Sequence, residues 1–157
     1  MTEHHYCIKT EWTGNLGEGT ATYQSYSRDH LLSGAGKATP IEGSSDPVFR
    51  GDPTRYNPEE LLVSALSACH MLWYLHLCAL NHLIVTDYID EATGSMSETA
   101  DGSGQFREVT LKPVVTVAEP SMVEPAEALH REANRRCFIA KSCTFPVHHQ
   151  PLTLVRP

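Results

Sequence analysis

At 157 residues the chain is the size of one domain, and a domain near this size buries about 68–70% of its unfolded surface, enough for a core without disulfide staples. With 12 Lys and Arg against 19 Asp and Glu, a net charge of -7 and a pI of about 5.7, it lacks the cationic surface with which nucleic-acid binders neutralise phosphates. Five cysteines, at 7, 69, 78, 137 and 143, are too few and too scattered for a disulfide framework, and their odd number leaves at least one unpaired.

The opening Met1-Thr2-Glu3-His4-His5 has neither a basic segment followed by an apolar one nor a small-residue cleavage site, so the expected location is cytoplasmic. In that reducing setting thiol chemistry is the thing to look for. Tyr6 to Trp12 alternates like a strand, and the run from Gly14 to Gly19 reads as a reversal into a second strand near Thr20 to Ser27. The glycine run lacks the Gly-Lys-Ser/Thr ending of a phosphate loop. From Arg28 to Tyr56 the chain is rich in Gly, Ser, Pro and charge, a connection long enough to be functional, to be disordered or to hide a short strand.

A long helix is predicted over 57–83. Asn57 caps it, Pro58 suits the first helical position, and Glu60 completes a capping box. No Lys, Arg, Asp or Glu occurs from Leu61 to Leu83, and apolar side chains fall all round the wheel, so the helix must be covered on every side. The same run fits a transmembrane template. Against that stand His70, His76, Asn81, His82, two serines, an acidic pair at one end and no flanking Lys or Arg, which favours a core helix and no membrane.

Beyond it, Ile84 to Thr99 and Phe106 to Glu119 read as two strands around the turn Asp101-Gly102-Ser103-Gly104, with Pro113 suited to an edge, a bulge or the solvent side. A second helix is predicted from Ser121–Glu124 to about Ala140, with Leu129, Ala133 and Cys137 on one face. Leu152 to Val155 reads as a terminal strand. The order gives one α+β domain over 1–157, with helices on one face of a largely antiparallel sheet.

A free thiol has a pKa of about 8.5 and burial raises it, so a buried cysteine becomes a nucleophile only beside a cation or aimed donors. An arginine from the preceding loop, Arg28, Arg50 or Arg55, is a candidate activator, and an acid at the helix start could orient it. Glu59 and Cys69, however, are ten residues apart on one helix, roughly 15 Å along the axis and about 80° apart in rotation. Either the helix is broken, or the acid and its arginine serve the thiol of a second chain. The dimer is the favoured alternative. Cys7, Cys78 and Cys143 read as packing residues, whereas composition leaves Cys69 and Cys137 open.

The run from Asn57 to Leu62 leading to Ser67-Ala68-Cys69, and the run from Ala133 to Ala140 around Cys137 followed by Phe145-Pro146-Val147, resemble the two signature segments of the OsmC/Ohr family of organic hydroperoxide resistance and osmotically induced thiol peroxidases. The resemblance implies an OsmC-like fold in an intertwined homodimer with sites at the interface. It implies a two-cysteine reduction of organic hydroperoxides, with Cys69 as peroxidatic thiol, Cys137 as resolving thiol and Glu59 pairing the activating arginine. Arg50, nine residues before Glu59, ranks first for that role and Arg28 second. No cofactor is implied beyond an external dithiol reductant such as a dihydrolipoyl group. His70, next to the proposed nucleophile but about 100° round the helix, is expected to be a packed or hydrogen-bonded histidine.

Two other functions compete. Met71, Leu72, Trp73, Tyr74 and Phe138 could line a pocket for a non-catalytic apolar ligand. Nine histidines, among them His4-His5, His148-His149 and the set His70, His76 and His82, suggest metal, but six-residue steps do not align ligands on a helix face and no metal motif is present.

Overall fold

The structure is a computed structural model that describes residues 2–157; Met1, part of the amino-terminal stretch read for a leader, lies outside the described residues. The chain folds as two units, Met1–Leu62 and Val63–Pro157.

The first unit carries an antiparallel sheet in the order β1 (Lys9–Trp12), β2 (His30–Ser33), β3 (Ile41–Gly43). The expected partner strand at Thr20–Ser27 is not there: Trp12 pairs with His30, and the arms of the reversal are joined by the bridge Asn15 to Tyr26 and by Trp12 Nε1, which donates to Ser27 O at 2.8 Å. Local side-chain bonding outcompetes the ladder in this stretch. Asn15 Oδ1 accepts from the amides of Gly17 at 2.9 Å and Gly19 at 3.0 Å, and the Arg28 guanidinium lies over Tyr23 and Tyr26, donating to both of their carbonyls. The long connection hides two strands, β2 and β3, and a 3-10 turn at Pro47–Phe49 that is capped by Asp46 and ends on Arg50 in the left-handed region.

Helix α1 runs unbroken over Pro58–Leu80. Its start is the expected capping box, with the Glu60 amide donating to Asn57 Oδ1 at 2.8 Å and the Asn57 amide donating to Glu60 Oε2 at 3.0 Å. Its end falls three residues before the predicted limit: the Leu83 amide reaches back to Cys78 O at 2.9 Å, and His82 takes a left-handed φ of 57°. The helix is long and apolar enough to cross a membrane, yet Leu66, His70, Tyr74, Leu77 and Cys78 are buried in protein. Within a single chain the cover is one-sided, since Leu72 and Leu80 each keep 62% of their surface exposed.

In the second unit the two long strands expected after the helix are each interrupted. They become β4 (Val85–Asp90), β5 (Thr93–Glu98), β6 (Gly104–Leu111) and β7 (Pro113–Val117), and the breaks coincide, with Asp90 Oδ1 accepting from the Lys112 amide at 2.7 Å. β5 and β6 form the hairpin around Asp101-Gly102, where Gly102 has φ 81°. Pro113 is buried, not at a solvent edge; as the first residue of β7 it ends one ladder and begins another.

The chain then enters a 3-10 turn at Pro120–Met122 and α2 (Val123–Arg136). The second helix does not continue to Ala140. Cys137 turns extended, with φ -63° and ψ 112°, and a separate turn, α3 (Phe138–Lys141), begins after it. Val147–His149 is a further strand, β8; it pairs parallel to β6, as β9 (Leu152–Val155) does to β7. The result is two mixed three-stranded sheets, β4-β7-β9 and β5-β6-β8. Tyr74, Leu77 and Cys78 of α1 pack with Val115 and Val117 of β7 and Ala126 and Ala133 of α2 to form the core.

Candidate functional site

The second unit brings Cys69 and Cys137 together, both as free thiols. Cys69 is half-buried on α1 and Cys137 is 1% exposed at the junction of α2 and α3. The break in the helix gives the Cys137 sulfur its place: it caps α3, accepting from the Ala140 amide at 3.4 Å. Burial pushes the Cys137 thiol up to about 11, the Ala140 N–H opposes that rise, and the neighbouring Cys69 thiol adds to it. Cys137 is therefore protonated at neutral pH. That suits a thiol that waits for an electrophilic sulfur better than one that attacks peroxide.

Two grooves open near this pair. One of about 580 Å³ is lined by Trp73, Arg135, Arg136, Phe138, Lys141 and Ser142, with Trp73 and Phe138 edge to face at 5.5 Å and the Arg136 guanidinium 5.7 Å from the Trp73 ring. The other, of about 440 Å³, has Ser67, Met71, Tyr88 and Asp90 in its wall, the Ser67 hydroxyl donating to Asp90 Oδ2 at 2.5 Å.

The helices that carry the thiols also bring together a group of aromatic polar rings that the sequence reading largely missed. His70 Nε2 and His130 Nδ1 are 3.0 Å apart with both rings fully buried, Tyr74 stacks on His130 at 3.9 Å, and His149 of β8 comes within 5.8 Å of His70. His70 is a hydrogen-bonded core histidine, as expected. Burial lowers it to about 4 and His130 to about 3, with neighbouring imidazoles adding to the effect. The available signal for His130 was its spacing, since Ala126, His130, Ala133 and Cys137 follow the i, i+4, i+7, i+11 stripe of a buried helix face.

The other candidates lie in Met1–Leu62. Arg28 is held between two tyrosine rings, 4.3 Å from one centroid and 4.1 Å from the other. Arg55 is 3.9 Å from Asp29, 3.7 Å from Glu42 and 3.8 Å from Asp52. Arg50 is 6.0 Å from the Tyr23 ring, and Glu59 is half-buried in the first turn of α1; neither makes an ion pair among the described residues. Cys78 is buried, which raises its pKa, and Cys143 donates to Ile139 O at 3.3 Å, whereas Cys7, expected to pack, is exposed. Among the described residues no group of three or more His, Cys, Asp or Glu side chains is arranged to hold a metal ion.

The family model for OsmC-like proteins matches residues 51–150. Among solved structures, the chain is similar to an OsmC-like protein of unknown function from Vibrio cholerae, at 30% identity over 97% of this chain and 100% of that one, with a TM-score of 0.82. It shares the fold of an OsmC-like protein from Mycoplasma pneumoniae, at 14% identity, 98% and 99% coverage and a TM-score of 0.72. It also shares the fold of an organic hydroperoxide resistance protein from Elizabethkingia anophelis, at 15% identity, 99% and 100% coverage and a TM-score of 0.67. No curated protein matches.

Proposed function

The chain belongs to the OsmC-like protein family, and on that premise we propose that it is a thiol peroxidase that reduces organic hydroperoxides to alcohols. The observation that carries the reading is the juxtaposition of two free thiols, one half-buried and one fully buried and held protonated.

The Cys69 thiolate attacks the distal oxygen of the hydroperoxide. A sulfur–oxygen bond forms, the oxygen–oxygen bond breaks, and the departing alkoxide takes a proton to leave as alcohol. Cys137 then attacks the Cys69 sulfenic acid: the disulfide forms, and the thiol proton leaves with the hydroxide as water. An external dithiol, of which a dihydrolipoyl group is one example, reopens the bridge by exchange.

Thiolate formation at Cys69 needs a cation, and Arg50 is the first choice, since Arg28 is engaged by Tyr23 and Tyr26 and Arg55 by three carboxylates. Because α1 is unbroken, the rise of roughly 15 Å over ten residues leaves Glu59 out of reach of Cys69 in its own chain. Glu59 and Arg50 therefore serve Cys69 of a second copy in a homodimer, and the exposed Leu72 and Leu80 are the surface that such a copy would cover.

The test is one equivalent of cumene hydroperoxide on reduced protein, followed by mapping of the product. The expected outcome is a Cys69–Cys137 bridge and loss of peroxide consumption in Cys69→Ser. Undiminished turnover by Cys69→Ser would sink the mechanism. The groove between Trp73 and Phe138 also suits a non-catalytic binder of apolar anions, and a retained ligand in native mass spectra without turnover would favour that reading.

A further inference from the structure

The buried imidazole pair takes no part in the chemistry above, and its position is specific. His70 directly follows Cys69 on α1; His130 stands on α2 seven residues before Cys137, the residue at which that helix ends. The Nε2 to Nδ1 contact is 3.0 Å and the rings are within 6° of parallel. Only one of the two facing nitrogens can donate. Whichever tautomer is present, His70 Nδ1 and His130 Nε2 are left buried without a partner, as are Tyr74 OH and Asn134 Oδ1.

Each such orphan is destabilising, and two leucines would fill the space without leaving one. What leucines would not supply is direction. Apolar contact tolerates sliding, whereas a hydrogen bond weakens steeply away from its preferred distance and angle. Disulfide formation needs that constraint, because Cα atoms more than 7 Å apart cannot be bridged without backbone movement, and a slip of one residue moves a helical side chain 1.5 Å along and 100° around.

We propose that the hydrogen bond between His70 and His130 is a strut that holds α1 and α2 in the register at which Cys69 and Cys137 can join. Both histidines are positioning residues for the resolving step. Its purpose rests on the peroxidase reading; the strut itself is tested without peroxide.

Reduced protein is oxidised with diamide, which takes two electrons and two protons from the thiol pair as the disulfide forms. The bridge is then equilibrated against dithiothreitol and quantified by peptide mapping. In His130→Leu, which keeps bulk and loses the bond, the equilibrium constant for the Cys69–Cys137 bridge falls at least tenfold, about 30 mV toward easier reduction. In His130→Asn, whose amide stands where Nδ1 stood, it remains within threefold of wild type. Equal shifts in the two variants, or no shift in His130→Leu, would overturn the strut, as would the absence of a Cys69–Cys137 bridge in oxidised wild type. Should His130→Leu lose its native circular dichroism, His70→Leu against His70→Gln decides by the same criterion, and collapse of both leucine variants with amide variants at the wild-type value supports the strut. Wild type that forms the bridge with diamide but consumes no hydroperoxide removes the peroxidase reading and leaves the strut intact.

Discussion

Acid should destabilise this protein from about pH 6.5 downward, before most of its carboxylates titrate, and the buried imidazoles are the reason. His70 is lowered to about 4 and His130 to about 3, chiefly by burial, against an unfolded value of 6.5. Between these limits the unfolded chain binds a proton at each imidazole and the folded chain does not, so the stability they contribute is complete above pH 6.5 and is lost as pH falls toward 4. From pH 7.5 to 4.5 the loss is roughly 2–3 kcal/mol for each ring and about 5 kcal/mol for both, comparable to the whole stability of many domains. His149, also lowered by burial, acts in the same direction. Glu132 is held down to about 2 by Arg135 and Arg136, and Asp101 is lowered by Thr99 and Ser103, so these two release stability only at lower pH. Urea titrations at both pH values should show the midpoint falling by about 2.5 M for a slope of about 2 kcal/mol/M. The double variant His70→Gln, His130→Asn, with no titrating ring at either position, should lose much less. A wild-type midpoint that stays level from pH 7.5 to 4.5, or a double variant that declines as steeply, refutes the account.

Removing the Arg28 side chain should cost stability more than activity: Arg28→Ala gives up two charged hydrogen bonds and two ring contacts, and should lower the unfolding free energy by about 2 kcal/mol in denaturant titrations. Asn57→Ala removes the cap that receives the Glu60 amide and should cost about 1 kcal/mol, read as a lower melting temperature. Leu72→Lys places a charge on the uncovered face of α1; sedimentation velocity should show a wild-type dimer becoming a monomer, and an unchanged sedimentation coefficient would speak against that face as the contact.

What could be read from the residues alone was local. Asn57, Pro58 and Glu60 determine where α1 begins because capping is chemistry within four residues, and Asp101-Gly102 sets the β5–β6 hairpin because a left-handed position favours glycine. The two cysteine segments were legible for the same reason, as short runs of particular residues. Less visible was any outcome decided by competition between distant partners. The strand expected at Thr20–Ser27 gave way to His30–Ser33 because Asn15, Tyr23 and Tyr26 bind locally, and α2 stops at Arg136 because Cys137 turns out of the helix and caps the next turn. The parallel strands β8 and β9 depend on edges offered by β6 and β7, which nothing in Val147–His149 announces. The histidine strut belongs to this second class: a single imidazole on a helix stripe is chemically silent, and only the packing of α1 against α2 turns two of them, sixty residues apart, into one directional bond.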